Sequence, residues 1–155
     1  KKDSRGSEVS NAASNSEPTI VVIDDDPELL TMIGLLLRRI GASTTAFLGG
    51  QEALAYLQTH TPDLILLDLM MPGTDGLDVL KWVRSIPRLD HVPILILSAK
   101  ADAVTIRCGL AAGADGYITK PYIATSLTDR VQTVLRTGRQ PAVQAPARLG
   151  RSEHR

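Results

Sequence analysis

The sequence predicts an α/β fold, a doubly wound parallel sheet of five strands with five helices packed on its two faces. Three observations predict it. Short apolar runs alternate with helical patterns five times along the chain, and strands joined through helices pair in parallel with the helices covering both faces. Three of the runs, Ile20–Ile23, Leu64–Leu67 and Ile94–Leu97, are continuously apolar, as strands buried on both sides must be. The first and last helical stretches each carry a single apolar face.

In chain order, the first strand is expected at Thr19–Ile23. Asp26 as N-cap and Pro27 at the first helical position then open a helix. Its Leu29, Ile33, Leu36, Leu37 and Ile40 fall at i, i+4, i+7, i+8 and i+11, one side of the cylinder. Further strands are predicted at Ser43–Phe47, Leu64–Leu67, Pro93–Leu97 and Gly116–Thr119, with helices over about 50–60, 76–86 and 101–112. Pro72, Gly73 and Gly76 shape the loop that leads into the third helix, where Asp75 is the expected cap. The last helix presents Leu127, Val131, Val134 and Leu135, and Ile123 stands where a capping hydroxyl would serve, so a late start is expected.

The flanks read differently. Residues 1–17, rich in Ser, Asn and charge, are expected to be a disordered leader, and 18–138 the folded unit. Residues 139–155 carry Arg139, Arg148, Arg151 and Arg155 against Glu153 alone and read as a flexible basic linker or tail. No effector motif follows residue 138, and the tail's composition fits a linker to an output module.

With 155 residues, 43% hydrophobic and 22% charged, the chain has room for one ordinary domain. A formal net charge of zero gives no whole-chain case for nucleic acid or membrane binding. No apolar run approaches the roughly 20 residues of a bilayer span, and the polar start has no secretory core, so a cytoplasmic protein is expected. Cys108 is the single cysteine, which excludes an internal disulfide and a cysteine metal cage; it is expected as a small buried apolar side chain.

In open parallel sheets, sites form beyond the carboxyl ends of the strands, so the residues there carry the function. Strand one ends in Asp24-Asp25-Asp26, strand three in Asp68, strand four in Ser98, and strand five in Lys120-Pro121. Taken singly these are weak signals: Asp26 is a cap, an Asp pair opens many helices, and a Lys-Pro is commonly a solvated turn. Taken together they bring three acids, a hydroxyl and an amine to one edge. Two carboxylates about 4 Å apart repel by roughly 1 kcal/mol in water and about 4 kcal/mol at an effective dielectric of 20. A hard divalent cation such as Mg²⁺ would relieve that repulsion. Lys120 offers a compact cation and Ser98 a hydrogen bond to phosphoryl oxygens, so the set is suited to handling phosphate.

These residues carry a resemblance. Val21-Val22-Ile23-Asp24-Asp25-Asp26-Pro27, Leu64-Ile65-Leu66-Leu67-Asp68-Leu69-Met70-Met71-Pro72-Gly73-Thr74-Asp75-Gly76, Pro93-Ile94-Leu95-Ile96-Leu97-Ser98-Ala99 and Gly113-Ala114-Asp115-Gly116-Tyr117-Ile118-Thr119-Lys120-Pro121-Tyr122 occur in this order. Across residues 19–137 the chain resembles the CheY-like receiver domains of bacterial response regulators. The resemblance implies that Asp68 accepts a phosphoryl group from a phosphohistidine on a sensor histidine kinase or phosphotransfer protein. It implies Mg²⁺ bound directly by Asp25 and Asp68 and by the Met70 carbonyl, with Asp24 assisting. Ser98 and Tyr117 take the family's two switch positions, and the face of the fourth helix, fifth strand and fifth helix signals to an effector domain or partner protein. Such a domain is not a conventional enzyme; it catalyses only its own phosphorylation and dephosphorylation. The Lys120-Pro121 bond is expected to be cis.

Some positions depart from the usual pattern. Met70 and Lys100 border the family's path for attacking water, and a long apolar Met70 predicts a long-lived phosphoryl group. Arg107 and Arg130 match cations that pair across dimers of the winged-helix subgroup, but Gly116 and Ser126 lack the acids, which leaves the oligomeric state open.

Other chemistries fit less well. A phosphatase of the haloacid dehalogenase type needs an acid two residues after its nucleophile, where Met70 stands. A flavodoxin-like binder needs a phosphate loop free of acids after strand one, and no Gly-x-x-x-x-Gly-Lys loop exists for a nucleotide hydrolase. The remaining alternative is a pseudo-receiver adaptor that works without phosphorylation.

Overall fold

The computed structural model of the chain describes residues 16–71, 76–99, 103–120 and 124–139. Five strands, β1 (Thr19–Ile23), β2 (Ser43–Phe47), β3 (Leu64–Asp68), β4 (Ile94–Ala99) and β5 (Gly116–Lys120), alternate with five α-helices. These are α1 (Pro27–Arg39), α2 (Gly50–Leu57), α3 (Gly76–Ser85), α4 (Ala103–Ala112) and α5 (Ala124–Thr137), and a 3₁₀ turn at Pro87–Leu89 precedes β4. All neighbouring strands pair in parallel in the order β2-β1-β3-β4-β5. This is the doubly wound α/β sheet that the alternation predicts.

Side chains leave successive strand positions on opposite faces, and the apolar runs therefore feed two cores. Val21, Ile23, Ile65, Leu67, Ile94 and Ile96 pack with Ala53 and Leu57 of α2 and Val79, Leu80 and Val83 of α3. Ile20, Val22, Leu64, Leu66, Leu95, Leu97 and Ile118 pack on the other side with Ile33 and Leu37 of α1 and Leu127 and Val131 of α5. On α1 the expected face is buried at Ile33, Leu36 and Leu37, with Leu29 and Ile40 half-buried against the same core and Leu30 buried beside them. Asp26 caps this helix, its Oδ1 accepting from the amides of Glu28 at 3.1 Å and Leu29 at 3.4 Å.

The structure corrects several boundaries. Strands β3, β4 and β5 run one or two residues past the apolar runs, because the backbone ladder continues through Asp68↔Leu97 and Ala99↔Lys120. Hydrogen bonding does not depend on side-chain polarity, so hydropathy alone ends these strands too early. Pro93, expected in β4, precedes it; its carbonyl still accepts from Ile65 N at 3.0 Å. Helix α2 stops at Leu57, where Arg88 donates to the Leu57 and Gln58 carbonyls at 2.6 and 3.0 Å.

Cys108 is exposed and not buried. In α4 it is Gly109 that faces the sheet, close to Ile96 and Leu69. Its neighbours, Cys108 among them, are turned outward. Pro72, Gly73, Thr74, Asp75, Lys100, Pro121, Tyr122 and Ile123 lie outside the described residues, as do residues 1–15 and 140–155. The expected cis bond, the Asp75 cap, residues 1–15 of the leader and 140–155 of the tail therefore fall outside them, whereas Arg139, expected as the first residue of a flexible tail, is bonded to the domain through Asp115, Asp90 and Gly113. Among the described residues, no helix is long and apolar enough to cross a membrane.

Candidate phosphoryl-transfer site

The strand order turns back between β1 and β3: β2 lies on one side of β1, while β3, β4 and β5 extend on the other. A crevice forms outside the carboxyl ends at such a reversal, and the polar strand-end residues stand there. Asp24, immediately after β1, is fully buried, while Asp25 beside it is exposed. Backbone pairing fixes Asp24: its amide donates to the Phe47 carbonyl at 3.1 Å, and its Oδ1 accepts from the Asp26 amide at 3.0 Å. Asp68 closes β3 and is 2% exposed. Its Oδ1 accepts from the Met70 amide at 2.9 Å, which aims the other oxygen into the crevice.

Lys120, at the end of β5, reaches across to both acids. Its Nζ donates to Asp68 Oδ2 at 3.3 Å and lies 3.1 Å from Asp24 Oδ2. The second contact is an ion pair poorly directed for a hydrogen bond, and among the described residues the buried Asp24 Oδ2 has no better-directed donor. One carboxylate oxygen from each of Asp24, Asp25 and Asp68 lies within 4.8 Å of the others. The electrostatics follow. Burial raises the Asp24 pKa, and the neighbouring Asp68 adds to the rise against the lowering influence of the Asp26 amide and Lys120. Burial acts to lower the Lys120 pKa, but its bonds and attraction to Asp24 and Asp68 outweigh it and the net shift is upward. Lys120 thus stays charged and partly neutralises two buried acids.

This arrangement suits a hard cation. An octahedral Mg²⁺ binds oxygens at 2.0–2.1 Å, with its coordination completed by water. Three convergent carboxylates, one with a buried oxygen whose partner among the described residues is the poorly directed Lys120 ammonium, offer such an ion oxygen ligands and would gain from its charge.

Ser98 is 1% exposed on β4, opposite Thr119 of β5. Tyr117 lies on β5 opposite Ile96 and is 40% exposed, its ring on the outside of the domain. The Met70 side chain is 61% exposed at the rim of an apolar recess shared with Leu77 and Val104. The structure thus brings Asp24, Asp25, Asp68 and Lys120 together, places Ser98 one strand from Asp68, and leaves Tyr117 outside the crevice.

Sequence reasoning did not identify what holds Asp68 in place from behind. A Cβ on Gly76 would stand 2.5 Å from both the Asp68 carbonyl oxygen and Leu69 Cα, so α3 begins in contact with the backbone of the nucleophile candidate. The glycine itself was legible, but only as a loop former.

Residues 20–132 match the family described as response regulator receiver domain. The chain is 43% identical over 117 residues to the DNA-binding response regulator MtrA of Mycolicibacterium smegmatis, covering 76% of this chain and 50% of that protein. It is 40% identical over 119 residues to the transcriptional regulatory protein BaeR of Escherichia coli, covering 77% and 48%. The chain spans about half the length of these curated relatives. Among solved structures, a putative response regulator from Chloroflexus aurantiacus superposes with TM-score 0.74 at 34% identity, covering 77% of this chain and 98% of that one. The chemotaxis response regulator CheY4 of Vibrio cholerae superposes with TM-score 0.72 at 29% identity, covering 76% and 98%. A sheet of this order, an acid crevice at its point of reversal and a family match over most of the folded residues agree, and the chain belongs to the response regulator receiver domains of bacterial two-component signalling.

Proposed function

We propose that this receiver accepts a phosphoryl group on Asp68 from a phosphohistidine of a sensor kinase or phosphotransfer protein. The observation that carries the reading is the convergence of Asp24, Asp25 and Asp68 around one point, with Lys120 as their counter-ion. Two contacts support Asp68 in this role: the Met70 amide holds Oδ1, which leaves Oδ2, beside the Lys120 ammonium, as the attacking atom. Attack forms the Oδ2–phosphorus bond while the bond to the donor nitrogen breaks and its electron pair returns to the imidazole. Lys120 then stands where phosphoryl oxygens develop charge, and the Ser98 hydroxyl can donate a further hydrogen bond. Mg²⁺, held by the carboxylates of Asp25 and Asp68 and the Met70 carbonyl with Asp24 assisting, would supply the remaining positive charge.

Turning Ser98 toward the acyl phosphate would open space behind it. Tyr117, outside in this structure, would move inward and change the face made by α4, β5 and α5, a shift toward a state already available to the domain. That face would signal to an effector domain or partner protein. The similarity to a DNA-binding response regulator and to a transcriptional regulatory protein supports a transcriptional output. A phosphorylation-independent adaptor would have no use for an acid pair, phosphoacceptor and lysine kept together.

The test is intact mass after incubation with acetyl phosphate and Mg²⁺. The wild-type chain should gain one phosphoryl group, and Asp68→Asn or chelation of Mg²⁺ should abolish the gain. A wild-type chain that stays unmodified, and whose Tyr117 environment is unmoved by beryllofluoride, would overturn the reading in favour of the adaptor.

A further inference from the structure

At the opposite edge of the sheet from Asp68, a second charged cluster is assembled from four separate segments. Asp115 directly precedes β5 and is paired to the start of β4: its amide donates to the Ile94 carbonyl at 2.8 Å, and its Oδ2 accepts from Ile94 N at 2.9 Å. Two guanidinium groups meet on its carboxylate. Arg84, from the last turn of α3, donates to Oδ2 at 2.9 Å, with both side chains 10% exposed. Arg139, two residues beyond α5, donates to Oδ1 at 2.9 Å. Arg139 also donates to the carbonyls of Asp90 at 2.8 Å and Gly113 at 3.3 Å. Arg84 takes the Gly113 and Val92 carbonyls at 2.9 and 2.8 Å. Two cations are thus balanced by Asp115 and, at 3.5 Å from Arg139, by Asp90.

The turn that delivers Arg139 is itself built. Gly138 has φ +68°, the left-handed conformation that ends helices, and its amide returns to the Val134 carbonyl at 2.7 Å. The chain is thereby folded back so that residue 139 lies against the base of β4 and β5. A linker residue in free solution would make no such set of bonds.

We infer that Arg139 is an anchor that fixes where, and in which direction, the chain leaves the receiver. Residue 139 belongs to the domain, and whatever the chain carries beyond it starts from a defined point at the amino-terminal edge of β4 and β5. The planar, five-donor guanidinium suits this role, because one side chain reaches three acceptors from two segments at once. The inference goes beyond the phosphoryl-transfer reading and does not depend on it. Ser98 and Lys120 lie at the far ends of the same two strands.

The experiment is residue-resolved amide hydrogen exchange on the full chain, comparing wild type with Arg139→Ala, Arg139→Lys and Gly138→Ala. In Arg139→Ala the amides of residues 137–139 should exchange about tenfold faster, while amides of β3 such as Leu66 keep their rates. Arg139→Lys, which keeps the charge but loses the fork, should fall between. Gly138→Ala should speed the same amides, because its Cβ meets nothing within 4 Å and only the backbone angle is strained. Terminal rates equal to wild type in Arg139→Ala would overturn the anchor. So would acceleration spread evenly over β3 and the terminus, which would make Arg139 a contributor to global stability and not to the exit.

Discussion

At the scale of single residues, Asp24 shows how the site is charged against its own stability. Its carboxylate is buried, shares Lys120 with Asp68, and meets that ammonium only in a poorly directed ion pair. Burial lifts its pKa above the ordinary 3.8. The folded state then binds this proton more tightly than the unfolded chain does, and from pH 3.8 up to the raised value it holds more protons. Stability must fall as pH rises across that window and stay lowered above it. Asp24→Asn should therefore be more stable than wild type at pH 7 without metal, and nearly equal to it below pH 3.8. Urea melts of both proteins in chelator across pH 3.5–7.5 would test this. A variant less stable than wild type at pH 7 would mean that the Lys120 pair outweighs the burial of Asp24. The acids, Ser98 and Lys120 were all legible as residues at strand ends. The double engagement of Lys120 was not, because it depends on how far β5 extends toward β1 across two intervening strands.

At the scale of elements, the strands and the faces of α1 and α5 were legible because continuous burial requires apolar residues at fixed periods. Helix α4 was not. It packs through Gly109, so its apolar residues have no inward stripe, and Cys108 ends outside. The cluster around Asp115 was equally hidden, since its partners lie 31 and 24 residues away on turns and helix ends that carry no pattern. The start of α3 is where an element meets the proposed phosphoacceptor. Gly76 lets the helix begin against the backbone of Asp68 and Leu69, and a methyl there would stand 2.5 Å from both. Backbone cannot give way as a flexible side chain does, so the helix start must move. Gly76→Ala should cost about 1–3 kcal/mol in a thermal or urea melt, as other overpacking changes do. Because displacing the Asp68 carbonyl re-aims its side chain, phosphorylation by acetyl phosphate should slow by more than the loss of folded protein explains. A rate per folded molecule equal to wild type would show that the β3–α3 contact supports the fold alone.

At the scale of the whole molecule, the sheet separates two jobs. The carboxyl ends of its strands gather acids that repel one another, and the opposite edge holds a balanced cluster that ties α3, α5, β4 and β5 together. The domain can keep an electrostatically strained site because its cores are continuous on both faces of the sheet. A ligand that relieves the strain binds the folded state alone, since the acids come from segments more than forty residues apart in the chain. Mg²⁺ should therefore raise the stability of the whole domain by RT ln(1 + [Mg²⁺]/Kd), about 2.7 kcal/mol at a hundredfold excess over Kd. The rise should saturate with one site, shift the melting of every strand together, and vanish in Asp25→Asn and Asp68→Asn. Na⁺ at equal ionic strength separates this from screening: screening weakens all exposed pairs and gives no saturation at millimolar salt. A melt in which Mg²⁺ stabilises both variants as much as wild type would place the ion elsewhere. The three acids would then be left to Lys120 alone, and the phosphoryl group would have to bind without a metal beside it.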